Sequence, residues 1–501
     1  MIRDTVFWLI ILGLIIYTYR DWFKGLCGLI FLMAIIRHEL MPTSMMGVTG
    51  LNPWNLLFLN VLLAFALKRS REELRWDAPL HITALMVLSL ICINVALIRT
   101  AMDPYPITVF SESTGVDLNT TDMYIDYLVN PIKWVVPSLL LFMGCNSVER
   151  FRWAVFSILA MYMLLALLVI RWMPLGLLTD GEALQSRAAR VLGRDVGYYR
   201  TNLSIMLAGA CWMIMGLSNY YKKHTLIIYA AAGIVFLAML LTAGRGGWLA
   251  WAILALVMGF AKWRRYLLMV PLVGLLALPF LPSSITDRLT EGFTESEQTE
   301  SADYQANLSE EDARMDTISA GRSLLWPLVL NRIQERPLIG YGFFGIVNSG
   351  ASGEYFERYQ WGYYHPHNAY LQLLVDNGLV LSLPLLIFFV LITRYAWTLF
   401  RHAEVPEHMM SGAACFALVF AFLVGGITGQ SFYPEERSFG MWCSIALLLR
   451  AWVDSRSGTA FSGTDIRQNE IDMPSMRFGV RDSTTSSEKK PLWQSRRLKS
   501  R

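Results

Sequence analysis

The sequence predicts an all-α polytopic membrane protein, and three observations carry that prediction. Hydrophobic residues make up 54% of the 501 and charged residues only 16%, with a mean hydropathy of +0.41, whereas about a quarter of an ordinary soluble chain is charged. Apolar runs of roughly 15 to 20 residues recur from Val6 to Val453, each near the length that crosses a bilayer. The runs are apolar throughout rather than at every second residue, which excludes an outer-membrane barrel.

Taken in order, the first elements are two hairpin helices before residue 38. The apolar core from Val6 to Tyr17 has signal-peptide length, but Tyr19, Arg20, Asp21, Trp22 and Phe23 offer no small-residue cleavage site, so it reads as a retained helix. Helices then follow near 51–67, 80–98, 132–146, 153–172, 202–219, 225–242, 247–262, 266–282, 379–399, 409–430 and 438–453, for about 12–13 spans judged by length. Cations cluster in short links: Lys68, Arg69, Arg71 and Arg75; Arg150 and Arg152; Lys222 and Lys223; Lys262, Arg264 and Arg265; Arg394 and Arg401. The positive-inside rule sets these in the cytoplasm. The alternate links are long and acidic, with ten acids against Arg288 and Arg314 over 283–320, and belong on the opposite, periplasmic side of a bacterial inner membrane. Residues 1–282 are thus expected to be N-terminal transmembrane helices, 283–366 a large periplasmic loop containing an amphipathic helix, 367–453 C-terminal transmembrane helices and 454–501 a disordered cytoplasmic tail. That tail, ending "STTSSEKKPLWQSRRLKSR", is too polar to bury a core.

A net charge of +4 gives no case for nucleic acid. The six cysteines lie inside apolar runs without a CxxC pair, so neither a disulfide framework nor a zinc site follows.

Three places hold residues suited to chemistry. In "LLTAGRGGWLAW", Arg245 stands between two apolar runs with Gly244, Gly246 and Gly247 around it; the glycines permit a tight reversal with Arg245 at its tip. An arginine at the bilayer surface is costly without a partner, and its planar fork fits phosphate or carboxylate oxygens; snorkelling to headgroups is the bland alternative. In "SAGRSLLWPLVLNRIQERPLIGYGFFG", Leu324, Leu325, Leu328, Val329 and Ile333 share one helical face behind a capping Ser319, with Arg322 in the first turn. An arginine there gains nothing from the helix dipole, so its placement suits an external anion. In "YYHPHNAYLQLLVDNGLVL", His367 and Asn368 stand where loop becomes helix, and a helix N-terminus keeps a histidine neutral and able to accept a proton. His365 is the rival; Pro366 between the two is expected to point them differently. The HxH spacing also permits a metal reading, but no third ligand lies nearby in sequence.

At these three places together the chain resembles the bacterial O-antigen ligase and O-antigen polymerase superfamily. The family's R-x3-L motif is matched by Arg245 and Leu249, and its H-[N/S/Q]-x9-G-x-x-[G/T/Y] motif by His367, Asn368 and Gly378, with Leu381 departing at the last position. The stretch with Arg322, Trp326, Pro337, Gly340 and Gly342 is similar to the family's loop before that histidine. The resemblance implies a glycosyltransferase that moves a saccharide from a polyprenyl diphosphate carrier to a hydroxyl of a glycan, lipid or protein acceptor on the periplasmic face. It implies His367 as base and Arg245 and Arg322 as diphosphate clamps, with Arg190 a third cation resembling a family arginine before an asparagine, here Asn202. Arg194 and Arg200 compete for that third role. No cofactor and no divalent ion are expected.

Two other classes compete. A lipid-linked oligosaccharide flippase or other transporter would use cations along its central cavity, yet ionisable residues within the runs are sparse. A mannosyltransferase-like enzyme would place an acidic pair in its first large outer loop, where Asp122 and Asp126 stand four apart.

Overall fold

The computed structural model describes residues 2–264 and 322–457, apart from 40, 43, 46, 47, 117, 119–123, 361 and 430. The expected helix at 266–282, the acidic stretch of 283–320 with Ser319, and most of the 454–501 tail lie outside the described residues. The described chain is helical, as the composition requires, with one two-residue antiparallel hairpin, β1 (Ser44–Met45) against β2 (Val48–Thr49).

Helices α1 (Ile2–Arg20), α2 (Trp22–Leu32), α3 (Pro53–Arg69), α4 (Leu80–Met102) and α5 (Tyr105–Thr114) come first, then α6 (Asn130–Gly144), α7 (Val148–Trp172) and α8 (Gly181–Val191). Their starts are written locally. Asp21, Asn52, Ser147 and Asp180 each accept a hydrogen bond from the backbone N–H three residues on, satisfying donors that a first helical turn leaves orphaned. The chain continues through α9 (Arg200–Leu217), α10 (Thr225–Leu241) and α11 (Arg245–Lys262).

Beyond the undescribed stretch come α12 (Arg322–Glu335), α13 (Gly345–Asn348) and α14 (Ala351–Tyr359), then α15 (Ala369–His402), α16 (Pro406–Gly425) and α17 (Phe439–Ser457). Among the described residues, six stretches are long and apolar enough to cross a membrane: Leu80–Met102, Tyr127–Gly144, Val148–Trp172, Lys222–Leu241, Ala369–His402 and Pro406–Gly425. The remaining helices of the bundle sit where the apolar runs predict them but are shorter or less apolar, α2 having 11 residues and α3 having 17.

The core centres on α9, which is buried from Leu203 to Ile214 and packs on α10, α11 and α16. Ala208, Gly209 and Ala210 keep it slim enough for α16 to approach. The α10–α11 hairpin is tight at its turn, yet both arms pack chiefly on α9 rather than on each other. All six cysteines are free and buried.

Helix α15 is not continuous. At Gly378 the backbone takes φ 64° and ψ −177°, a region essentially restricted to glycine. The break exposes backbone donors that the 337–342 segment uses: Leu379 N donates to Pro337 O at 2.8 Å and Val380 N to Leu338 O at 3.0 Å, while Tyr341 N donates to Val375 O at 2.8 Å. A Cβ on Gly378 would overlap the Ile339 backbone, and one on Gly340, itself at φ 57°, would lie 2.6 Å from Gly378 N. Two glycines are needed because two main chains meet there.

Candidate active site

Helices α9, α11 and α15 begin on one side of the bundle, and their first turns converge. Ser204 Oγ, in the first turns of α9, donates to Gly244 O at 2.8 Å, just ahead of α11. Ala369 N, the first of α15, donates to Gly426 O at 2.8 Å, just past the end of α16. Each N-terminus brings the positive end of its dipole to this side.

Arg245 is the first residue of α11 and half-buried; the reversal before it uses Ala243 at φ 53°. Arg322 is the first described residue of α12, with Leu325, Leu328 and Val329 buried beneath it, as the apolar face predicts. Its guanidinium is held below the usual arginine range by burial first and then by the charge of Arg245, with Tyr363 acting the other way. Its Nε has no hydrogen-bond partner. Two like charges thus lie near each other where Arg322 is poorly hydrated, an arrangement that an anion between them would favour.

His367 completes the group. Burial and then the Arg322 charge push its imidazole down to about 4, so the ring is neutral near pH 7. The turn that presents it is built from several sides: Trp326 Nε1 donates to Pro366 O at 2.9 Å, Tyr363 meets the His367 ring edge-on at 5.4 Å, and Asn368 caps α15 by accepting from Tyr370 N at 3.0 Å and Leu371 N at 3.2 Å. Asn368 is therefore a helix cap, and Gly378 shapes the segment behind the site rather than touching it.

His365 is where the sequence reading of this turn is corrected. Pro366 was expected to point the two histidines differently, yet their rings meet edge-on with centroids 4.1 Å apart. The cause is His367 itself, whose φ of 49° reverses the chain and brings the second ring back over the first. His365 is 8% exposed, and burial first, then His367, lowers its imidazole well below the ordinary histidine range. No cluster of three metal-binding side chains includes this pair among the described residues.

Arg190 is held within its own helix. It is exposed at the end of α8 and donates to Ser186 O and Oγ of its own helix, at 3.3 and 3.1 Å. Arg194 pairs with its neighbour Asp195 at 2.8 Å, and Arg200 opens α9, half-buried. Asn202 accepts from Arg437 Nη1 at 2.7 Å. Arg437 escaped the sequence reading because nothing local distinguishes it from other arginines near a span; its importance depends on a contact 235 residues away. It lines a polar cavity of about 180 Å³ together with His365, Gln372, Asn202 and Glu435.

Residues 230–386 match the family model described as O-antigen ligase. An O-antigen ligase of Pseudomonas aeruginosa is 25% identical over 147 residues, 29% of this chain and 34% of that protein. A Rickettsia conorii protein, whose name provisionally reads polysaccharide ligase, is 24% identical over 261 residues, 49% of this chain and 56% of that one. The chain thus spans about a third and about half of the length of these two relatives. The matched stretch contains Arg245, Arg322, His367 and Gly378 and leaves Arg190 outside it. The family match over 230–386 and the convergence of these motif residues on one side of a helical membrane bundle agree in their likeness to the O-antigen ligase superfamily.

Proposed function

We propose that this protein joins a saccharide to an acceptor hydroxyl on the periplasmic face of a bacterial inner membrane, taking it from a polyprenyl diphosphate carrier without a metal or cofactor. One observation carries the reading: two mutually repelling guanidiniums, Arg245 and Arg322, stand beside a neutral histidine. A diphosphate is the anion such a pair would hold, and it is also a leaving group. The acceptor oxygen attacks the anomeric carbon as its proton passes to His367, and the bond from that carbon to the diphosphate oxygen breaks. The departing charge stays between Arg245 and Arg322. Bound diphosphate also cancels the field of Arg322 at His367, so the imidazole becomes more basic when the donor is present. Arg190 is the third cation proposed for the diphosphate.

The test is transfer from a polyprenyl diphosphate saccharide in reconstituted membranes, with donor binding followed separately. His367→Ala is expected to lose about a hundredfold or more in transfer, the lower range for a general base, while donor binding persists. Arg245→Lys, which keeps charge but loses the fork, is expected to weaken donor binding and transfer together. Parental transfer in His367→Ala would remove the base assignment, and loss of transfer on adding chelator would remove the metal-free one. Donor crossing the bilayer with no new glycosidic bond would make the protein a transporter.

A further inference from the structure

A second feature adjoins the site without belonging to the diphosphate clamp. The cavity of about 180 Å³ is walled by the loop before α9, the start of α15 and the 431–437 loop. Its cations are already neutralised: Arg437 Nε lies 3.0 Å from Glu435 Oε2, and Arg37 pairs with Glu436. Two guanidiniums against two carboxylates leave no surplus for a phosphate. The remaining lining is amide and aromatic, including Asn202, Gln372, Trp134 and Tyr199. Hydrogen-bonding groups set among aromatic faces suit a neutral, polyhydroxylated ring.

Two polar atoms on lining residues await a partner. His365 Nδ1 and Gln372 Oε1 are buried without a hydrogen bond, and each residue is 8% exposed. A buried polar atom left so costs free energy, and a small turn of either side chain would bring it to a hydroxyl in the cavity. His365 also connects the cavity to the chemistry, its ring lining the cavity and meeting His367 at 4.1 Å.

We propose that this cavity binds the terminal uncharged sugar of the acceptor, with Gln372, Asn202 and Tyr199 recognising it and His365 setting its hydroxyl toward His367. The assignment rests on the function proposed above. The acceptor fits here better than the donor because the hydroxyl that loses a proton must approach from the histidine side, whereas the donor's leaving group is held by Arg245 and Arg322. Asn202 acts from a position fixed by Arg437, so specificity for the acceptor is written partly in the 431–437 loop.

The experiment uses the full-length protein in vesicles and measures KM for acceptor and donor independently. Gln372→Ala and Asn202→Ala are expected to raise the acceptor KM about tenfold each, the effect of losing a buried hydrogen bond, with donor KM unmoved and kcat changed little. Tyr199 is 67% exposed, so Tyr199→Ala keeps the fold and is expected to raise the acceptor KM severalfold. Methyl glycosides of neutral hexoses are the probes: at least one is expected to compete with the acceptor in the parent and to lose potency in Tyr199→Ala. Unchanged acceptor KM in all three variants, or a rise in donor KM instead, would overturn the subsite while leaving the ligase reading intact. A parent protein that forms no glycosidic bond would remove that reading itself, and the subsite with it.

Discussion

His367 is neutral for two reasons that respond differently to substrate. Its burial persists, whereas the opposing charge of Arg322 is cancelled once an anion binds. In the proposed base role the neutral ring is the reactive form, so transfer is expected to fall as pH drops through the histidine's own value. The acid limb of kcat/KM, which reports the free enzyme, is expected near about 4, and that of kcat, which reports the donor complex, at higher pH. In Arg322→Gln the charge is gone, so the free-enzyme limb is expected to move up toward the ordinary histidine range while donor binding weakens. A pH–rate series on parent and variant measures both, and a limb that stays in place would show that Arg322 does not act on His367. The sequence reveals which residues to examine here but not how they face one another. Arg245 stands out because glycines surround it at the end of an apolar run, and His367 because Asn368 offers a cap behind it. The contact between His365 and His367 requires a positive φ at a non-glycine residue, which is uncommon and has no local sequence mark.

Among the elements, α15 decides most of the site's geometry. Its first turn carries the Asn368 cap and Gln372, and its break at Gly378 receives the segment that leads back to α12. Asp376 accepts from Gly345 N at 2.7 Å through Oδ1 and from Tyr433 OH at 2.8 Å through Oδ2, joining the break to the 431–437 loop as well. Gly378→Ala combines a left-handed φ with an overlap against Ile339 backbone, each a cost of at least about 1–3 kcal/mol. The expected outcome is a protein that unfolds at markedly lower temperature in detergent and transfers poorly, whereas Leu379→Ala, one residue on and 48% exposed, stays near the parent. Apolar periodicity finds α15 only as a span at 379–399, because the turns before Gly378 carry Gln372, Asp376 and Asn377, whose partners lie on other elements. The family motif marks Gly378 by position; the structure supplies the reason, a crossing of two backbones.

For the whole molecule, apolar runs proved a good guide to the order of helices. Twelve helices stand where apolar runs separated by cationic links predict them, and the thirteenth, at 266–282, lies outside the described residues. What the runs could not give is packing, since α9 inside the bundle and α10 against it are both apolar, and only burial distinguishes them. The alternation also makes a topological prediction: Glu300→Cys and His402→Cys in a cysteine-free background should label from opposite sides of the membrane with an impermeant thiol reagent. Labelling from one side would dissociate Arg322 and His367 from the periplasmic face.

Several ties hold the segment that carries Arg322. Trp326 is bonded to Pro366 at 2.9 Å, Arg332 to Glu354 at 3.1 Å, and Arg99 of α4 donates to Gly340 O at 2.9 Å. With the bonds of Ala369 to Gly426 and of Tyr433 to Asp376, they make 322–378 a cassette braced from within, from α4 and from the 426–433 stretch. A substitution at Trp326 or Arg332 is therefore expected to disturb the placing of Arg322 against His367 even though neither side chain touches substrate.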